Sequence, residues 1–315
     1  MIRTEGQIAA TGTAEATDHV AGVRDRSLLE FVALADEDFS TAALVLIGHG
    51  STVNRQSSQT VRRLAEELAA RNLFAQVSAA FDLEEPKIED VPRIDAPRIF
   101  VVPITISAGR FTEETIPQRL GITVADQSDY DRVQEINGRQ VIYCHPIGTH
   151  PGMTHVLLER ASSIVTQHPS PHASEFSEMA LFVVGHGTRK NKNSHKSVEA
   201  QVDLIRARSE YADVQPAFME EAPFIADCYA ATEARHMVVV PFFISDGLHT
   251  LEDIPILLGE PEVAVKGRLA AGQPTWSNPT QRNGKLVWYT PAIGNEPNLQ
   301  AIVLERVREM TGGGQ

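Results

Sequence analysis

The chain has 315 residues, with 28 basic and 41 acidic side chains and a formal net charge of −13. A hydrophobic content of 42% excludes disorder for most of the length, and the acidic balance excludes a nucleic-acid partner, which needs a basic face. Two cysteines, Cys144 and Cys228, are too few for a disulfide framework or a Cys-x-x-Cys metal or iron–sulfur site, and no apolar run approaches the ~20 residues of a membrane span.

Residues 1–39 form a Thr/Ala/Gly-rich leader with a short helix and without the apolar stretch of a secretory signal, so the protein is expected in the cytoplasm. Leu44 to Ile47 is a short continuous apolar run, which suits a parallel strand buried on both faces. A helix-period segment follows from Val53 to Arg71. Then come a strand at Ala75 to Phe81, a strand at Arg98 to Ile106, a short helix at Glu113 to Leu120, a strand at Gln140 to Cys144 and a helix at Met153 to Gln167. The Pro/Ser-rich piece His168 to Ser177 reads as a linker. Beyond it the rhythm returns: Leu181 to Val184, Ser194 to Ser209, Val214 to Met219, His236 to Ile244, Glu252 to Leu258, Leu286 to Tyr289 and Pro297 to Met310. Glu260 to Lys285 is an insertion of the second half, rich in Gly, Pro and Asn, and is expected to be a surface loop or flap.

The repetition is explicit. ALVLIGHGS at Ala43 to Ser51 matches ALFVVGHGT at Ala180 to Thr188 at five of nine positions. PITISAGRFTEETIPQRLG at Pro103 to Gly121 matches PFFISDGLHTLEDIPILLG at Pro241 to Gly259 at ten of nineteen positions without a gap. Ala80-Phe81 and Ala217-Phe218 correspond between these blocks. The expectation is therefore α/β: two homologous units, residues 40–167 and 178–315, joined by 168–177, each a parallel sheet with helices on both faces.

Ligands of open α/β sheets bind beyond the carboxyl ends of the strands, so the residues just after each strand matter most. His49 and His186 each follow a strand inside Gly-His-Gly. His249 follows the strand ending near Ile244, at the same sheet end as His186. Two neutral imidazoles facing one cleft make a partial shell for a borderline divalent ion such as Co²⁺, Fe²⁺ or Ni²⁺. Glu220 ends a strand at that cleft and can ligate or accept a proton, with its neighbour Glu221 as the alternative. Arg189, Lys190 and Lys192 form a cationic run before a helix, suited to an anionic ligand. The first half keeps His49, but Phe111 stands at the position of His249 and Leu83 at that of Glu220. One centre, built mainly by the second half, is expected, with His49 vestigial. His145, His150 and His155 are spaced by five and interrupted by Pro146 and Pro151, a poor ligand set. A phosphoryl-transferring histidine commonly has Arg before His-Gly; Gly48 and Gly185 stand there.

LIGHGS at Leu46 to Ser51, VVGHGT at Val183 to Thr188, PFFISDGLHTLEDIP at Pro241 to Pro255 and HPIGTHPGMTHVLLER at His145 to Arg160 resemble the class II tetrapyrrole chelatases, most closely the CbiX-type sirohydrochlorin cobaltochelatases and their ferrochelatase relatives. The resemblance covers nearly everything from Ala43 onward. It implies two flavodoxin-like, chelatase-like halves around a tetrapyrrole cleft, and insertion of a divalent metal, cobalt first and iron or nickel next, into sirohydrochlorin in cobalamin or sirohaem synthesis. By motif position His186 and His249 match the metal-binding histidines and Glu220 the strand-end acid. The cationic run would hold the carboxylates of the ring. The metal is then a substrate, and no iron–sulfur cluster is expected because the Cys- and His-rich tail of some long members is missing. A monomer or homodimer without membrane attachment fits this reading. The alternative is a metal or tetrapyrrole carrier without turnover.

Overall fold

The computed structural model describes residues 38–52, 56–123, 130–171, 175–187 and 192–312. The leader expected over 1–39 lies almost wholly outside them. The first half contains β1 (Ala43–Gly48), α1 (Gln56–Ala69), β2 (Gln76–Phe81), β3 (Arg98–Pro103), α2 (Ile116–Leu120), β4 (Val133–Ile136), β5 (Arg139–Tyr143) and α3 (Met153–Gln167). The second contains β6 (Met179–Gly185), α4 (Asn193–Arg206), β7 (Asp213–Phe218), α5 (Cys228–Ala231), β8 (His236–Pro241), α6 (Ile254–Leu257), α7 (Glu262–Ala270), β9 (Thr280–Arg282), β10 (Lys285–Tyr289) and α8 (Leu299–Glu309). Their sheets have the orders β2-β1-β3-β5-β4 and β7-β6-β8-β10-β9. The first four strands of each run parallel, and the last is antiparallel.

The antiparallel edge strands β4 and β9 are absent from the sequence reading. Each is joined to its neighbour by Asn-Gly, with φ of 53° and 73° at Asn137 and Gly138 and 48° and 76° at Asn283 and Gly284. Two consecutive positive φ values make the tight hairpin turn that Asn-Gly favours. The segment from Glu260 to Lys285 is likewise no plain loop. It holds α7 and β9, and its first residue, the buried Glu260, pairs with Arg268 of α7 at 3.0 Å and with Arg282 of β9.

β1 and β6 are buried along their whole length, as their apolar runs require. Alternate residues serve opposite faces. Ala43 and Val45 pack with Val91, Ile116 and Leu120 on the outer side, while Leu44 and Leu46 face inward. Ala180, Phe182 and Val184 face Ile225 and Ile254, and Leu181 and Val183 face inward. The inward faces of both sheets belong to one continuous core.

That core is sealed by an exchange. α1 and α4 lie on their own sheets, but α3 lies on β8 and β10 of the second half and α8 lies on β3 of the first. Arg160 of α3 sits 2.9 Å from Glu296 of the second half. Its counterpart Arg306 of α8, 5% exposed, donates to the carbonyl of Pro146 and to Thr149 Oγ1 of the first. Trp288 of β10 donates to the carbonyl of His168, fixing the end of α3 across the boundary. Among the described residues no helix is long and apolar enough to cross a membrane.

Candidate functional site

The backbone at the carboxyl end of β6 fixes the site. Gly187 has φ of 68°, and a Cβ there would meet Glu221 Cγ at 2.8 Å and Phe218 Cβ at 2.9 Å. Both the left-handed turn and the close approach demand glycine. The turn aims the carbonyl of His186 at the β7 end, where the amides of Met219 and Glu220 donate to it at 3.1 Å. His186 and Glu220 are thus held by backbone, and their side chains meet with Nε2 3.8 Å from Oε1.

His249 opens a π-helical turn, His249–Asp253, that leads into α6. Tyr289 of β10 donates to the carbonyl of Thr250 at 2.7 Å, and Thr250 Oγ1 bonds Asp246 and Gly247. This pinning presents the His249 ring to His186, with centroids 4.9 Å apart and planes at 79°. The side chains of His186 and His249 are 35% and 47% exposed, enough to receive a ligand from solvent.

The hydrogen bonds assign the tautomers. His186 Nδ1 faces the carbonyl of Gly187 at 2.8 Å, and His249 Nδ1 faces Asp253 Oδ2 at 2.7 Å. An oxygen acceptor at Nδ1 requires the proton there, so each neutral ring keeps its lone pair on Nε2. A histidine whose other nitrogen bonds a carboxylate or carbonyl is the arrangement in which imidazole ligates metals. Among the described residues no three His, Cys, Asp or Glu side chains close on one point. The pair with Glu220 beside it is an open edge, suited to holding an ion in passing.

In the first half the same backbone carries different chemistry. Gly50 has φ of 69°, and the amide of Leu83 donates to the carbonyl of His49 at 3.0 Å. There the ring stacks on Phe111, centroids 3.7 Å apart and planes at 16°. Burial holds the His49 imidazole below its ordinary pKa, against an opposing pull from Asp82. Of the cationic run, Lys192 is exposed at the head of α4, whereas Arg189 and Lys190 lie outside the described residues. His145, His150 and His155 diverge. His150 contacts Glu305 and Glu309 at 3.2 and 3.6 Å, and His155 Nε2 lies 2.9 Å from Arg208 Nη2. His145 is held below its ordinary pKa chiefly by burial, with the nearby Arg132 and Arg306 adding to the effect.

Asp253 and His195 escape the sequence reading. Asp253 stands four residues after His249, in a stretch read as a plain short helix, and the first half has Thr115 in its place. His195 on α4 lies 3.2 Å from Glu221 and 3.1 Å from Glu199. Only the folded chain brings it to the strand end.

The CbiX family model matches residues 43–164 and again 180–310. The chain belongs to the CbiX family. A probable sirohydrochlorin cobaltochelatase of Halobacterium salinarum is 35% identical over 279 residues, covering 85% of this chain and 91% of its own. A sirohydrochlorin cobaltochelatase of Methanococcus maripaludis, 29% identical, aligns over 99% of its length to 39% of this chain. That relative is therefore matched in full by less than half of this chain. Among solved structures, a multi-domain protein of Deinococcus radiodurans with structural similarity to chelatases gives a TM-score of 0.69 at 24% identity over 88% of this chain, which spans 56% of that protein. The sirohydrochlorin chelatase SirB of Bacillus subtilis subspecies spizizenii, in complex with cobalt, gives 0.57 at 19% identity, covering 87% of this chain and 98% of its own. Both likenesses are of fold, and each extends over both halves of this chain.

Proposed function

We propose that the protein inserts a divalent metal, cobalt first, into sirohydrochlorin, and that the second half carries the working centre. One observation supports this above the rest: two imidazoles, each with Nδ1 engaged by an oxygen and Nε2 left for a ligand, lie with ring centroids 4.9 Å apart, and the Glu220 carboxylate is 3.8 Å from His186 Nε2. The 35% identical relative is named a probable sirohydrochlorin cobaltochelatase, which supports both substrate and metal.

In this reading His186 and His249 take the ion from water through Nε2, exchanging aquo ligands for imidazoles. Asp253 holds the His249 ring in the ligating tautomer and raises its basicity. Insertion forms bonds from the metal to the ring nitrogens and releases two pyrrole protons. Glu220, beside His186, accepts the first of these protons, and solvent water carries off the second. Arg189, Lys190 and Lys192 bind the carboxylates of the macrocycle. His49 takes no part, its face being covered by Phe111. The reading includes no iron–sulfur cluster: Cys144 and Cys228 are buried in separate halves, their thiols pushed up to about 12 by burial. It places the reaction in the cytoplasm, with a monomer or a homodimer as the working unit.

The test is an insertion assay on the purified protein with Co²⁺, Fe²⁺ and Ni²⁺, following the absorption change of sirohydrochlorin. Turnover that His249→Ala abolishes is expected. Binding of metal or sirohydrochlorin without metallation would replace the enzyme reading by a carrier.

A further inference from the structure

Both strand-end turns rest on the same kind of support. Gly50 packs on Glu84 and Phe81, and Gly187 packs on Glu221 and Phe218. In each half a nitrogen-bearing side chain of the following helix covers the phenylalanine and reaches the glutamate. In the first it is Arg62, 4.5 Å over the Phe81 ring and 3.7 Å from Glu84. In the second it is His195, stacked on Phe218 at 4.2 Å and 14° and lying 3.2 Å from Glu221.

The two supports come from different helix positions. α1 and α4 both have 14 residues, and Gly48 to Gly185 is an offset of 137, as is Gln56 to Asn193. Ser58 therefore corresponds to His195, and Arg62 to Glu199. One helical turn separates the two solutions. The second half has moved the covering group one turn toward the head of the helix, and Glu199 now flanks His195 on its other nitrogen at 3.1 Å.

We infer that His195 is a positioning residue: through Glu221 it holds the Gly185-His186-Gly187 turn, and with it the His186 ring and Glu220, in register with His249. The inference rests on the proposed insertion site. Its force is that a half with no working site builds the same clamp, so the clamp serves the turn. His195 Nδ1 is buried without an aligned hydrogen bond, which fits a packed wedge better than a donor in a proton path.

The first half supplies the experiment. His195→Ser removes the wedge. His195→Ser with Glu199→Arg transplants the Ser58/Arg62 solution into the second half. The single variant is expected to lower kcat for Co²⁺ insertion about tenfold, as loss of an outer support of a metal site does, with KM for sirohydrochlorin unchanged. The double variant is expected to regain at least half of the wild-type rate. A single variant with wild-type kcat overturns the inference. So does a double variant that melts like wild type yet stays as slow as the single one, because His195 would then be needed for its own chemistry. If the single variant does not fold, the double variant alone decides: at least half of the wild-type rate supports the inference, and a folded double variant slowed about tenfold overturns it. A wild-type protein without insertion activity would instead remove the proposed function. In that case His195→Ser is judged by whether it weakens Co²⁺ binding about tenfold, an effect the double variant must reverse.

Discussion

His49 and His186 end equivalent strands, follow the same Gly-His-Gly turn and have the same backbone bond to the next strand end. Their surroundings differ at two side chains. His49 stacks on Phe111, with Leu83 at the next strand end, and His186 packs near-perpendicular to His249 beside the carboxylate of Glu220. The scaffold of the turn is therefore independent of the chemistry it carries. The first half keeps the glycines, the supporting glutamate and the covering cation, because the turn must still close its core. It has an aromatic stack in place of the polar groups, a contact worth about 0.5–1.5 kcal/mol.

The largest effect that would break this comparison comes from the ligands. His249→Ala and His186→Ala are each expected to lower insertion by more than about 100-fold, beyond what outer-shell changes do, with melting temperatures close to wild type. Near-wild-type turnover in either variant would remove the second-half assignment. Asp253→Asn leaves the ring in place and weakens its basicity, so the KM for Co²⁺ is expected to rise about tenfold, measured at saturating sirohydrochlorin. Phe111→His with Leu83→Glu rebuilds the missing groups in the first half. Calorimetric titration with Co²⁺ should then count a second site, weaker than the first. An unchanged count would mean that the halves differ by more than these two residues. His49→Ala is expected to change the insertion rate less than about twofold, and a loss matching that of His186→Ala would show a shared centre.

The smallest effect is on stability. Burial lowers the folded pKa of His49, so the unfolded chain binds more protons below the ordinary histidine value of ~6.5, and stability falls as pH drops through that region. His145, His150 and His155 shift in the same direction, each chiefly through burial. His49→Phe should therefore remove part of the decline between pH 7 and 5, on the order of 1 °C of melting temperature, and stability at pH 8 should not follow that pattern.

Much of this was legible in the residues. The two Gly-His-Gly turns and their strands announce themselves, because a parallel strand buried on both faces must be apolar throughout, as Leu44 to Ile47 is. The loss of partners in the first half was readable at Phe111 and Leu83. The edge hairpins were signalled by Asn137-Gly138 and Asn283-Gly284, a two-residue sign easily lost in polar surroundings. α7 was hidden by Gly and Pro at its borders, although Pro261 and Glu262 are ordinary helix-start residues. Asp253 and His195 could not be found from spacing. Their roles depend on a π-helical turn and on which side of α4 meets β7, both decided by packing. The exchange of α3 and α8 was equally out of reach, since an amphipathic helix reports that it covers a sheet but not which one.

That exchange sets a schedule for synthesis. When the ribosome has released residues up to Gln167, the first sheet is complete, but α3 has no surface to lie on, because β8 and β10 are still to be made. The groove over β3 stays open until α8, at the far end of the second half, arrives to fill it. The nascent first half therefore waits with apolar surface exposed until a helix of the second half completes its fold. A translation stop shortly before Leu299 would leave His186 and His249 in place and still yield a chain prone to aggregate, with a defect in the first half.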